Sequence, residues 1–176
     1  MVSMTGLERA LHHLARLSAY LSGLLILSAA LVTILDVVMR SVINRPFFGA
    51  NDIVLYLLTI GVVGFFPLMV DSAHHIKIEV LGSRLGRRGV RLVEGFANLV
   101  TLLVLAGFTW QFLLRGNRLA SFGDASQILQ LPVAPMWWIG AGFMALAVVI
   151  QAVMVVTGHS QRVPVGQTLD EYERRR

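Results

Sequence analysis

Residues 35–58, LDVVMRSVINRPFFGANDIVLYLL, decide how this chain folds. An apolar run ends there with Asp36 and Arg40 one helical turn apart, breaks at Asn44-Arg45-Pro46, and resumes after Asn51-Asp52. Either these charges form a working site inside a membrane, or they tie a corner between two helices that cross it.

The chain around this stretch favours a membrane. It has 176 residues, 56% of them apolar and only 14% charged. A soluble domain of that size leaves too much surface exposed to hide so much apolar material. Four stretches carry no charge: Leu17–Leu35, Ile53–Val70, Gly95–Leu114 and Val133 to about Thr157. A hydrocarbon core of about 30 Å needs roughly 20 helical residues, so each is long enough to cross. The expected fold is an all-α membrane protein of four transmembrane helices, with spans of about 17–38, 53–70, 95–114 and 133–157. Residues 1–160 form one domain, and 161–176 a polar tail. The first stretch is too long for a signal-peptide core and no small-x-small cleavage site follows it, so it is expected to be retained. Pro67 is expected to kink the last turn of the second span.

Charge placement orients the spans. The N-terminal segment, the middle loop and the tail together hold eleven Lys and Arg residues, and the other two loops hold four. By the positive-inside rule both termini and the middle loop face the cytoplasm. Trp110, Trp137 and Trp138 then fall at the outer ends of spans three and four, as interfacial aromatics. The net charge of +5 is therefore a topology and lipid signal, and no nucleic-acid partner is inferred from it. In the middle loop, Arg84, Arg87, Arg88 and Arg91 share one face if the segment is helical. Two readings stand there: a basic interfacial helix on the inner leaflet, touching membrane lipids, or a solvated loop that only sets topology. Gly82, Gly86 and Gly89 weaken the helix.

The chemistry is defined mainly by what the spans lack. No Asp, Glu, Lys, Arg or His interrupts the four uncharged stretches, whereas transporters and proton pumps use such groups at mid-membrane. Gly61 and Gly64 are the interior positions in span two where a helix could break around an ion, although small residues also serve close packing. Gly140, Ala141, Gly142 and Ala145 offer the same choice in span four, either within the bundle or against another chain. Absent cysteine rules out thiolate metal sites and disulfides. His12, His13, His74, His75 and His159 lie at or beyond span ends, which argues against haem held in the bundle. Adjacent His74 and His75 point about 100° apart on a helix, a poor metal pair. No cofactor, metal or catalytic residue is expected.

At the corner, Asp36 and Arg40 are spaced to pair at i, i+4. Asp52 stands where a helix N-cap or a first-turn acid is stabilised by exposed backbone N–H groups, and Pro46 to Gly49 turn the chain between them. The structural corner is preferred over direct solute contact.

These residues, Arg40, Asn44, Pro46, Gly49 and Asp52, resemble the first outer loop of the small membrane subunit of tripartite ATP-independent periplasmic (TRAP) transporters. That family more often has Glu at the place of Asp52. His75-Ile76-Lys77-Ile78-Glu79 is similar to the family's motif after span two, with departures at its last two positions. Ser126, Leu129 and Pro132 resemble the family's approach to the last helix. The resemblance covers nearly the whole chain. It implies a non-catalytic scaffold in the bacterial inner membrane. Its partners would be a large permease subunit on a separate chain and a periplasmic solute-binding protein, in sodium-driven uptake of organic carboxylates. The alternatives are a self-sufficient homo-oligomeric transporter, or a membrane redox or assembly subunit.

Overall fold

The computed structural model describes residues 6–73 and 79–157; of these, 73, 79–92, 94 and 157 are described for their backbone alone. Among the described residues five helices follow one another: α1 (Gly6–Ile43), α2 (Ala50–Val63), α3 (Phe66–Ala73), α4 (Glu79–Phe122) and α5 (Ala134–Thr157). They make four membrane-length segments, because α2 and α3 together form one, Ala50–Ser72. The fold is all-helical, with four helices long and apolar enough to span. Near the start of α1, Leu11 and Ala15 share a cluster with Ile150 of α5, so the start of α1 and the end of α5 lie at one end of the bundle.

The first helix is longer than its apolar run requires. At 1.5 Å per residue its 38 residues extend about 57 Å, against a hydrocarbon core of about 30 Å. Its polar ends, with Arg9, His12 and Arg16 at one and Asp36 and Arg40 at the other, therefore reach beyond the oil. It stops where Asn44 takes a left-handed conformation (φ 53°), and Pro46 two residues later cannot resume the helical ladder.

Span two is broken rather than kinked in its last turn. Pro67 has no N–H to offer the Val63 carbonyl. The chain tightens one turn earlier: Gly64 N–H donates to Ile60 O at 3.0 Å and Phe65 N–H to Val62 O at 3.4 Å, and Met69 N–H then restarts the ladder on Phe65 O at 3.0 Å. Pro67 itself is fully buried. Gly61, one turn before the break, lies directly against α1. A Cβ there would stand 2.9 Å from Ile26 Cγ1 and 3.2 Å from the Ser22 carbonyl. The small residue serves helix packing, and the break next to it comes from the proline.

The core gathers around α5, which touches each of the other spans. Leu11 and Ala15 from α1, Val63 and Val70 from span two, Leu105 from α4, and Met144, Ala147 and Ile150 from α5 are buried together, with Phe66, Phe112 and Phe143 against them. Gly140 and Ala141 pack within this bundle: Phe112 closes over Gly140, and Ala141 is buried. Gly142 faces open space. Many large apolar side chains point outward; Leu27, Phe96 and Leu103, for example, are more than 60% exposed. That arrangement suits a bundle whose solvent is lipid, where apolar surface need not be hidden. Gln151 is buried and donates to Asn98 O and Asn98 Oδ1, both at 3.3 Å, so α4 and α5 share a polar tie inside the bundle.

The segment with Arg84, Arg87, Arg88 and Arg91 belongs to α4, which runs unbroken from Glu79 into span three. It is helical, yet it is the leading part of the spanning helix and not an element of its own. How those arginines point lies outside the described residues, as do His75, Ile76 and Lys77. At its other end α4 continues eight residues past Leu114, to Phe122. A Schellman cap stops it there: Gly123 (φ 67°) donates to Ala120 O at 3.3 Å, and Asp124 N–H to Leu119 O at 3.1 Å.

Gly61→Leu tests the α1–α2 packing. Overfilling such a contact costs about 1–3 kcal/mol, so the variant should melt earlier in detergent by circular dichroism. At Gly107, where an added Cβ would meet nothing within 4 Å, the Gly107→Ala variant should melt like the parent.

Candidate functional site

Two loops meet at the end of the bundle opposite the start of α1 and the end of α5. The first is the corner, residues 44–49, between α1 and α2. The second, residues 123–133, joins α4 to α5.

The corner is held by Asp36. Its Oδ2 accepts from Arg40 Nη2 at 2.9 Å, and its Oδ1 accepts the Phe47 N–H at 2.9 Å. One carboxylate thus joins the end of α1 to the loop eleven residues on. The two partners differ in environment, since the Arg40 side chain is 68% exposed and that of Asp36 only 17%. An exposed ion pair contributes little, whereas a backbone N–H drawn out of water needs an acceptor. Asp36 is the anchoring residue, and Arg40 shields it.

The second loop folds back on itself. Ala125 and Pro132 form an isolated antiparallel bridge. Ser126 N–H donates to Leu131 O at 2.9 Å, Val133 N–H to Asp124 O at 3.1 Å, and Leu131 N–H to Ser126 Oγ at 3.1 Å. The N–H groups of Ile128 and Leu129 at its tip still need acceptors.

Asp52 supplies one for both. Its Oδ2 accepts from Ile128 N at 3.0 Å and from Leu129 N at 2.8 Å, and the residue is buried at 4% exposure. Of the two expectations for Asp52, the first-turn acid holds and the N-cap does not: Asp52 stands in the first turn of α2, but the N-cap is Gly49, with no side-chain cap hydrogen bond. The carboxylate instead binds a loop 76 residues away in sequence, because that loop presents two adjacent N–H groups with no other partner.

Gly49 and Tyr56 complete the junction. They stand at i−3 and i+4 from Asp52 and share its helix face. Gly49 is left-handed (φ 79°), and Leu129 lies on it so closely that a Cβ would fall 1.7 Å from Leu129 Cδ1. The Tyr56 hydroxyl donates to the carbonyls of Leu131, at 3.2 Å, and Pro132. Gly49, Asp52, Ser126, Leu129 and Pro132, which the sequence places in two separate motifs, therefore form one clasp. Tyr56 was not singled out from sequence. The signal was available: a phenol in an apolar helix, one turn beyond the acid.

The tryptophans stand at the same end. Trp138 Nε1 donates to Asn117 Oδ1 at 3.1 Å and covers Gly116. Trp137 and Phe112 rings tilt against each other at 5.1 Å. Trp110 is 67% exposed and faces away from the bundle. At the opposite end, His12 Nδ1 and Asp71 Oδ2 meet at 2.5 Å, linking α1 to α3; their pairing was not foreseen. Among the described residues no three His, Cys, Asp or Glu side chains gather to hold a metal ion.

Two sets of variants probe the clasp. Gly49→Ala forces an L-residue into a left-handed conformation and collides with Leu129, a cost of about 1–3 kcal/mol for the backbone alone. Adding Leu129→Ala should recover only part of the lost melting temperature, since it removes the collision and leaves the strain. At the corner, Asp36→Ala should lower the yield of folded protein more than Arg40→Ala, measured by fluorescence-detected size exclusion.

Comparison with known proteins gives one match. The family described as tripartite ATP-independent periplasmic transporters, DctQ component, matches residues 29–158, which takes in the corner, the clasp and all of α5. No curated relative and no solved structure matches the chain. With more than half of its length matched, the chain belongs to the DctQ component family of tripartite ATP-independent periplasmic transporters.

Proposed function

We propose that this chain is a non-catalytic scaffold within its transporter. It would pair with a large permease subunit on a separate chain and with a periplasmic solute-binding protein, in the bacterial inner membrane. Membership of the DctQ family supports the small-permease role. The proposal adds a division of labour: the companion carries the solute and ion sites, and this chain holds still beside it.

One observation carries that reading. Three carboxylates are engaged in ties at the two ends of the bundle: Asp36 with Arg40 and the Phe47 N–H, Asp52 with the 128–129 backbone, and Asp71 with His12. Between those ends the uncharged stretches hold no Asp, Glu, Lys, Arg or His, and the buried Gln151 donates to Asn98. A coupling site needs a charged or coordinating group that changes partners during the cycle. These groups are committed to holding helices together.

The orientation we infer has both termini in the cytoplasm, following the basic excess on that side. The clasp then faces the periplasm, with exposed Arg45, Arg115 and Arg118 near it. Sodium coupling and organic carboxylates as solutes come with the family resemblance and are part of the proposal.

Reconstitution tests it. Sealed vesicles containing this chain alone should accumulate no carboxylate under a sodium gradient, and uptake by the large subunit with the binding protein should collapse when this chain is omitted. Gradient-driven accumulation by the chain alone would refute the scaffold role.

A further inference from the structure

The break at Gly64–Phe65 leaves a groove of about 580 Å³ between α1 and α3, lined by Arg16, Ala19, Tyr20, Phe65 and Leu68. We propose that this groove binds one anionic phospholipid, its phosphate on the Arg16 guanidinium and one acyl chain along Ala19, Tyr20, Phe65 and Leu68. The proposal requires only that the bundle spans a membrane, and stands whether or not the chain serves uptake.

Depth is the first argument. Arg16 immediately precedes the uncharged stretch that begins at Leu17, so its guanidinium lies at the boundary between hydrocarbon and headgroups. Tyr20, one turn further in, is 73% exposed, a position suited to an interfacial phenol. From there the groove is apolar, floored by Phe65 and Leu68.

Charge is the second. Among the described residues, Arg16 has no carboxylate within ion-pair distance. Asp71, the acid one turn beyond Leu68, is already taken by His12 at 2.5 Å. A lone guanidinium at this depth favours a phosphate, which it can grip with two N–H donors. A phospholipid brings that phosphate and an apolar chain in one molecule. An apolar helix from a companion subunit would instead cover the cation and leave it unmatched, at a cost.

Native mass spectrometry can decide, using protein reconstituted in vesicles of equal dioleoyl phosphatidylglycerol and dioleoyl phosphatidylcholine. One phosphatidylglycerol should stay bound in preference to phosphatidylcholine. Arg16→Gln should weaken that retention about fivefold, the share expected of one basic residue at a membrane surface. Arg9→Gln, which does not line the groove, should retain it. Leu68→Trp, which fills the groove and leaves the charge, should expel both lipids. Equal retention by the parent and Arg16→Gln, or no preference between the two lipids, would overturn the proposal. Loss of the bound lipid on assembly with the large permease subunit would also overturn it, because polypeptide would then be the occupant.

Discussion

The structure depends on a single requirement at its non-terminal end: the backbone of residues 126–131 is neither helix nor sheet, and its N–H groups must still be bonded. Near a membrane, water is not a dependable partner for such groups. Asp52 meets the requirement with one oxygen shared between Ile128 and Leu129. Because Asp52 is anchored in the first turn of α2, the bond fixes the loop that leads into α5 against span two. Gly49 and Tyr56 follow from the same requirement, one by letting Leu129 approach and the other by covering the carbonyls of Leu131 and Pro132.

The two ends of the bundle are held differently. The clasped end has a dense set of directional bonds across Asp36, Asp52, Ser126, Tyr56 and Trp138. The other end has the His12–Asp71 pair and a groove opened by the Pro67 break. Between them, apart from the Gln151–Asn98 tie, contact is made by shape: Phe112 over Gly140 and Ile26 over Gly61. Small residues bring helices close enough for dispersion to act where lipid removes the hydrophobic drive between spans. Directional bonds at one boundary and tight contact in the middle suit a part that keeps its form.

Much of this was legible in the sequence, and the remainder was hidden for identifiable reasons. The spans follow from uncharged length alone, and the turn at Asn44 to Gly49 from residues that tolerate special backbone angles. The Asp36–Arg40 pair is a local i, i+4 matter. Asp52 is the first-turn acid that its spacing suggests, but spacing measures only near neighbours, and its hydrogen-bond partners are 76 and 77 residues away. The back-folded form of 124–133 escaped notice for the same reason. Pro67 was noticed, but its effect was placed in the last turn, although a missing N–H is felt four residues earlier at the Val63 carbonyl. The helical path from Glu79 through Arg91 was left open by its glycines, whose weak propensity is outweighed when the segment extends a long spanning helix.

The central claim is that the Asp52 carboxylate holds the loop before α5 in place. Residue-resolved hydrogen exchange on the amides of Ile128 and Leu129 addresses it directly, comparing the parent protein with Asp52→Ala. Both amides should be protected in the parent and exchange rapidly in the variant, while the amides of α5 beyond its first turn keep their protection. Unchanged protection at 128 and 129 after removal of the carboxylate would contradict the account.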